Sequence, residues 1–188
     1  MRKLLVVVDY QKDFVDGSLG FAGAELLDSK IVKRIKEYLA NGDMVMFTMD
    51  THFKKDLNPK FKDYLETREG KQLPVYHCVH GTPGWELYGD TGKLLKDGVN
   101  SIMLKKYTFG INPKDMCSEI FDEDFCEIEL VGLVTNMCVI SNAVTMQARY
   151  PDAQIRVSRK LCDSFDKEMH DAALNVLASM QVEVGDWE

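Results

Sequence analysis

The segment KLLVVVD, residues 3–9, is a continuous run of apolar residues that ends in an aspartate. A strand buried on both faces has this pattern, whereas a strand with one solvated face alternates apolar and polar residues. Such strands are typical of parallel sheets that are covered by helices on both sides. The segment therefore indicates a parallel sheet, with Asp9 at the carboxyl end of its first strand.

The rest of the chain alternates between strand and helix patterns. Strand patterns occur at 43–50, 101–106, 126–134 and 153–161, with a short one at 181–186. Apolar residues at helical spacing occur at 29–43, 136–150 and 166–180, and Pro113 opens a shorter helix through KDMCSEIFD. This alternation implies right-handed βαβ units. We expect an α/β, three-layer Rossmann-like fold with a mostly parallel, roughly six-stranded sheet flanked by helices.

Composition narrows the class of protein. The net charge of −7 argues against nucleic acid and anionic membranes as partners. No apolar stretch approaches the roughly 20 residues that cross a bilayer. The apolar run of MRKLLVVVDY ends at Asp9 without a small-residue cleavage site, which argues against a signal peptide. The five irregularly spaced cysteines fit a reducing compartment, so we expect a cytoplasmic protein.

Polar side chains follow several of the predicted strands. Asp9, Asp50, a lysine at 105 or 106 and the turn before Cys138 all lie at carboxyl ends. In parallel α/β sheets, ligands bind in the crevice beyond these ends. The long aperiodic segment 51–98 is of the kind that is usually functional. The sequence therefore predicts one site that collects these groups.

Cys138 has two interpretations. In the first turn of a helix, free N–H groups and the helix dipole favour a thiolate and can bind an oxyanion. The alternative is a buried structural cysteine, which is the ordinary role of an isolated one. The other cysteines lack a comparable strand-to-helix turn, so we interpret them as structural: Cys78, Cys117, Cys126 and Cys162.

Two further groups are candidates for acid–base chemistry. Asp9 is either a base or a helix-capping carboxylate. Lys105 and Lys106 are neighbours in a strand, so their side chains point to opposite faces and one of them is solvated. The lysine that faces the crevice would lower the pKa of a nearby thiol.

A metal site is indicated by TMDTH and the loop that follows it. Asp50 and His52 are two positions apart in an extended segment and share a face, and His77 follows with His80 close behind. Two histidines and a carboxylate suit Zn²⁺, Mn²⁺ or Fe²⁺ and leave positions open. Glu69 is either an additional oxygen ligand or an exposed loop charge.

Four motifs together resemble the isochorismatase-like cysteine hydrolases, and among them the nicotinamidases. VVVDYQKDF resembles the family's Asp-x-Gln-x-x-Phe element, and GLVTNMC resembles its Gly-x-x-Thr-x-x-Cys nucleophile turn. HCVHGTPGWEL resembles the His-Cys-x-x-Gly-Thr-x-Gly stretch, and KKYTFG the Lys-x-x-aromatic segment. The resemblance implies a single isochorismatase-like hydrolase domain over residues 1–188 and, from relatives that often assemble, a homo-oligomer.

The resemblance also implies a catalytic triad. Asp9 would be the general base, Cys138 the nucleophile and a lysine their electrostatic partner. Lys106 matches the spacing to the aromatic residue of the motif, and Lys105 is the alternative.

The nucleophile turn of the family often has a non-proline cis peptide just before its threonine. The equivalent bond here joins Val134 to Thr135. In relatives it shapes the oxyanion hole together with the amide of the cysteine, Cys138 here.

The metal residues resemble those of nicotinamidases, in which the metal holds the pyridine nitrogen. Asp50, His52 and His77 match the ligands, and Phe14 matches the aromatic that stacks on the substrate ring. Nicotinamidases commonly have a tryptophan in the wall of the substrate pocket, shortly before the third ligand. Here the sequence before that ligand is Leu73-Pro74-Val75-Tyr76-His77, so this wall is altered. The implied activity is zinc-dependent conversion of nicotinamide to nicotinate and ammonia, with manganese or iron as alternative metals. The alternative substrate is another small amide or carbamoyl compound.

Overall fold

The computed structural model describes residues 1–95, 100–117 and 121–188. In these ranges the strands are β1 Arg2–Val8, β2 Met44–Asp50, β3 Ser101–Lys106, β4 Phe125–Leu133, β5 Gln154–Asp163 and β6 Glu183–Gly185. The α-helices of the same ranges are α1 Lys12–Val15, α2 Asp28–Ala40, α3 Arg68–Gln72, α4 Gly89–Gly92, α5 Ile140–Arg149 and α6 Lys167–Ser179. The strands are all parallel, in the order β3-β2-β1-β4-β5-β6. The predicted α/β fold is confirmed.

The apolar run of β1 is buried on both faces, as its sequence predicts. Leu4, Val6 and Val8 join a core that includes residues of α5 and α6. Leu5 and Val7 face the other side and pack with residues of α2. Helices therefore cover both faces of the sheet, and the sheet is the middle layer of the fold. The apolar side chains of β1 are buried on both faces.

Register brings the strand ends to one edge. Val8 at the end of β1 pairs with Thr48 of β2 and with Gly132 of β4. Asp50 pairs with Lys106 at the ends of β2 and β3. The loops that leave β1, β2, β3 and β4 consequently open onto the same crevice.

Some predicted elements differ in detail. The helix predicted over 136–150 begins with a π-helical turn, Thr135–Val139, in which the Val139 N–H donates to the Val134 carbonyl. The turn therefore holds one more residue than an α-helical turn before α5 begins. The helix expected after Pro113 is a 3₁₀ turn, Asp115–Cys117, in its described part, and residues 118–120 lie outside the described ranges.

Segment 51–98 contains short helices and turns in its described part. The 3₁₀ turns Tyr64–Glu66 and Pro83–Trp85 accompany α3 and α4. No helix of the described ranges has the length and apolar character needed to cross a membrane.

Candidate active site

Lys106 is at the centre of the site. Its Nζ lies 2.6 Å from Asp9 Oδ2 and 3.4 Å from Asp50 Oδ1, and it donates to Cys138 Sγ at 3.5 Å. It also donates to the Thr108 carbonyl at 3.1 Å. Burial opposes the charge on Lys106, but Asp50 and Asp9 outweigh it and raise its pKa well above the usual value. A buried ammonium therefore joins the carboxylates to the thiol.

Asp9 is held by backbone and side-chain contacts. It follows β1 with φ of 45°, a left-handed conformation that is uncommon for residues other than glycine. Its Oδ1 accepts from the Thr48 hydroxyl at 2.7 Å. Burial raises the pKa of Asp9, and Lys106 opposes that rise. The carboxylate is thus fixed beside the ammonium with its basicity increased.

Cys138 is buried in the π-helical turn. Burial raises the pKa of its thiol well above the usual value, Lys106 lowers it, and the carboxylates of Asp9 and Asp50 raise it further. This direction is opposite to the one that a helix N-terminus alone would give, because desolvation and the two carboxylates raise the pKa of the thiol.

Lys105 faces away from this cluster. Its Nζ lies 3.1 Å from His80 Nε2 and 5.2 Å from the centre of the Trp85 ring. Of the two candidate lysines, Lys106 is the one that contacts Asp9 and Cys138.

A second cluster lies beside the first. Ligand atoms of Asp50, His52, Glu69 and His77 are all within 4.8 Å of one another. The shortest pairs join Asp50 Oδ2 to His52 Nε2 at 3.0 Å and to His77 Nε2 at 3.4 Å. Glu69 Oε1 lies 3.7 Å from His52 Nε2 and 4.0 Å from His77 Nε2. The structure thus brings the three predicted ligands together, with Glu69 beside them.

The chemistry of this cluster fits a divalent cation. His77 Nδ1 lies 2.9 Å from the Val75 carbonyl, which only accepts, so Nδ1 carries a proton and, in the neutral ring, Nε2 presents its lone pair to the cluster. His52 Nε2 is buried and makes no hydrogen bond of suitable geometry. A buried nitrogen without a hydrogen bond is costly unless something else binds it.

The pKa shifts of the two carboxylates also fit a cation in this cluster. Burial opposes ionisation of Asp50, but Lys106, His52 and His77 hold its pKa well below the usual range. Burial, followed by the negative charge of Asp50, raises the pKa of Glu69. Burial disfavours protonated His77, yet its contacts with Asp50 raise its pKa. A cation would relieve the repulsion between the two carboxylates.

Gln11 is a site residue that the motif contains but to which we assigned no role. Its Nε2 donates to the Asp50 carbonyl at 3.0 Å and to the Trp85 carbonyl at 2.8 Å. Its Oε1 accepts from the Asp50 N–H at 2.8 Å. The buried amide therefore fixes the main chain of Asp50. In the sequence, the feature that could have indicated this role is a polar residue two positions after Asp9.

Asn142 is a second residue that the sequence did not reveal. Its fully buried amide donates to the Cys138 carbonyl at 2.7 Å and to the Phe109 carbonyl at 3.2 Å. Its oxygen accepts from the Ile111 N–H at 2.9 Å. Asn142 therefore joins the nucleophile turn to the loop that follows Lys106.

The cis peptide is one bond earlier than predicted. It joins Leu133 to Val134, and not Val134 to Thr135. The carbonyl of Val134 accepts hydrogen bonds from the N–H groups of Met137 and Val139. The Val134–Thr135 peptide is therefore part of the π-helical turn. The Thr135 hydroxyl is buried and lies 2.8 Å from His170 Nδ1 on α6. Thr135 does not line the cavity described below, whereas Val134 does.

One cavity of about 650 Å³ adjoins both clusters. Cys138, Asp50, Glu69 and His77 contribute to its lining, which is otherwise largely apolar. Phe14 also lines the cavity, with its ring centre 5.6 Å from that of His77, and Leu73 lies at its rim. The candidate nucleophile and the candidate metal ligands Asp50 and His77 therefore line one cavity that has room for a ligand.

The fold and this site define an α/β enzyme of the hydrolase class with a cysteine as its candidate nucleophile. The chain belongs to the isochorismatase family, whose domain model, described as Isochorismatase domain, matches residues 3–188.

Individual relatives agree with this assignment. The chain is 30% identical over 187 residues to a Bacillus subtilis (strain 168) protein described as the uncharacterized isochorismatase family protein PncA, across 95% of this chain and 96% of that one. The crystal structure of nicotinamidase/pyrazinamidase PncA from Bacillus subtilis is similar with a TM-score of 0.84 and 27% identity, across 99% of this chain and 100% of that chain. A pyrazinamidase of Pyrococcus horikoshii in complex with zinc has a TM-score of 0.78 at 18% identity, across 100% of both chains, and shows the fold alone.

Proposed function

We propose that this protein hydrolyses nicotinamide to nicotinate and ammonia through a thioester on Cys138. The observation that carries the proposal is the contact of one buried lysine, Lys106, with Asp9, Asp50 and Cys138. Through Asp50, the groups suited to acyl transfer adjoin a cluster suited to a cation. Similarity to a nicotinamidase/pyrazinamidase from Bacillus subtilis supports an amide as the substrate.

Asp9 begins the reaction as the general base. Its carboxylate and the Cys138 thiol both contact Lys106 Nζ, and burial raises the pKa of Asp9, which makes it a better proton acceptor. As Asp9 takes the proton, Lys106 stabilises the sulfur anion that forms. Sγ then attacks the amide carbon, and main-chain N–H groups in the segment from Val134 to Cys138 bind the oxyanion.

Asp9 then returns its proton to the leaving nitrogen. The C–N bond breaks, ammonia departs and the acyl group remains on Cys138 Sγ as a thioester. Asp9 next takes a proton from water, whose oxygen attacks the thioester carbon; the C–S bond breaks, Asp9 gives that proton to Cys138 Sγ, and nicotinic acid leaves and ionises to nicotinate. One amide and one water thus yield one acid and one ammonia.

Asp50, His52 and His77 would hold a divalent metal, with Glu69 as a further oxygen donor. Zinc suits two imidazoles with carboxylates, and manganese and iron are alternatives. When bound, the ion would orient the pyridine nitrogen and draw electron density from the ring. Phe14, which is 8% exposed, provides an aromatic surface for the ring beside His77.

A second candidate is hydrolysis of another small amide, such as a pyrazinamide-like or carbamoyl compound. Leu73 favours it, because this residue forms a wall of the cavity and is 37% exposed. A panel of amides separates the candidates: nicotinamide should have the highest kcat/KM under the first proposal only.

The direct test is ammonia release from nicotinamide by zinc-loaded protein, with Cys138→Ala as the inactive control. Mass spectrometry of rapidly quenched protein should show a nicotinoyl adduct on the peptide that contains Cys138. Absence of ammonia release by the metal-loaded protein with Cys138 intact would reject nicotinamide as the substrate.

A further inference from the structure

The catalytic cavity is larger than the substrate proposed above. Its volume is about 650 Å³. Even if each of the nine non-hydrogen atoms of nicotinamide took the roughly 30 Å³ of a liquid water molecule, ring and amide would fill less than half of it. The floor, formed by buried residues such as Phe14, His77 and Cys138, provides the contacts that the proposed reaction needs.

The remaining space is bounded mainly by apolar side chains, and Ser18, Arg68 and Gln72 also line the cavity. We call the apolar part the outer subsite and define it by Leu19, Leu73, Phe109, Met137 and Phe165. These residues come from separate segments, namely the loops after β1, before His77, after β3 and after β5, and the π-helical turn after β4. Single exposed apolar residues are common on protein surfaces, but apolar residues from separate loops that converge on one cavity form a binding surface.

Three of these side chains are exposed, whereas Leu19 and Met137 are partly buried against the core. Phe165 is 58% exposed, Phe109 40% and Leu73 37%. An apolar group bound among them would bury this surface, and aromatic rings would add favourable contacts with the phenylalanines. Nicotinamide held at the floor does not have the atoms to reach them.

We propose that the outer subsite binds an apolar substituent of the substrate, so that the site also accepts aromatic carboxamides larger than nicotinamide. This proposal rests on the proposed function, because the amide must be presented to Cys138. It makes Phe165 a specificity-determining residue that contacts the substituent and not the reacting amide.

The test measures binding separately from turnover. Calorimetric titrations use the Cys138→Ala protein with zinc added, and compare nicotinamide with 5-phenylnicotinamide and 6-phenylnicotinamide. We expect at least one phenyl compound to bind no more weakly than nicotinamide. Adding Phe165→Ala should weaken that binding about threefold or more, while the affinity for nicotinamide changes less than about twofold.

Phe61→Ala is the matched control, because Phe61 is an exposed phenylalanine that stacks on Phe53 outside the cavity. It should leave the affinity for every compound unchanged. Weaker binding of both phenyl compounds than of nicotinamide overturns the outer subsite, as does an unchanged affinity in the Phe165→Ala protein. Ammonia release by the wild-type protein tests the proposed function independently, so the two failures are distinguishable.

Discussion

The ammonium nitrogen of Lys106 lies 2.6 Å from the carboxylate of Asp9, and both side chains are almost completely buried. The same nitrogen contacts Asp50, so one cation serves two buried carboxylates. A buried charge that loses its partner is strongly destabilising, because neither water nor another charge replaces it. We therefore expect Lys106 to have a structural role in addition to the chemical role proposed above.

Replacing Lys106 by methionine should abolish ammonia release and reduce the free energy of unfolding by about 3–5 kcal/mol. The cause is the loss of the cation that contacts Asp9, together with the loss of positive charge beside the thiol. Urea denaturation and an ammonia assay measure the two effects. Lys105→Met is the control, and the prediction is wrong if that variant loses as much stability and activity.

Replacing His52 or His77 by alanine should remove high-affinity zinc binding, since each contributes one nitrogen to the cluster. Removal of a metal-binding nitrogen should also raise the KM for nicotinamide, because the ring loses its orientation. Zinc stoichiometry by calorimetry is the measurement. His80→Ala is the matched control: His80 contacts Lys105 instead. Equal zinc loss in all three variants would contradict the assigned cluster.

Replacing Asn142 by aspartate should lower kcat about tenfold or more, with a smaller change in KM. The variant keeps the size of the side chain but loses the N–H groups that hold the carbonyls of Cys138 and Phe109. Steady-state kinetics provide the readout. Gln147→Glu is a similar change on α5, where the amide donates to the distant Met180 carbonyl. A kcat that falls equally in both variants would point to general damage to α5.

Acid should destabilise the fold partly through His170. Burial lowers the pKa of His170, although Asp163 and Asp171 partly offset the effect. The unfolded chain therefore takes up this proton near pH 6.5 while the folded ring is still neutral. Its contribution to stability is complete above about pH 6.5 and is lost as the pH falls through the lower pKa of the folded state.

Unfolding free energies measured from about pH 7.5 to 5.5 should consequently fall more steeply for the wild type than for His170→Asn. The asparagine keeps a polar group near Thr135 but does not titrate. Other histidines contribute equally to both proteins, so the difference isolates His170. Parallel curves would show that His170 takes up its proton equally in both states.

The fold followed from sequence patterns because its inner strands, such as β1 and β2, are largely buried on both faces. An uninterrupted apolar segment such as 3–9 has few alternatives to a central parallel strand. The strand ends then predicted where Asp9, Asp50 and Cys138 would meet. Motif spacing favoured Lys106 over Lys105, and the strand register that decides which one faces the crevice became visible only in three dimensions.

The rest of the site depended on contacts that no local pattern encodes. Asn142 acts on a loop more than thirty positions earlier in the chain, through hydrogen bonds to Phe109 and Ile111. Burial and two carboxylates raise the pKa of Cys138, a direction that the position of Cys138 in the first turn of a helix does not predict. The single-domain organisation, the homo-oligomer and the cytoplasmic location stay predictions.

The order of the strands has a consequence for biosynthesis. The site draws Asp9, Asp50, Lys106 and Cys138 from the ends of four strands, yet β1 at the centre is the first to leave the ribosome and β4 is the fourth. Non-local parallel pairings of this kind form slowly, because each closes a long loop. A nascent chain shorter than about 138 residues has no thiol at the crevice. The groups of the site therefore meet only after β4 and the turn that carries Cys138 have been synthesised and β4 has paired with β1.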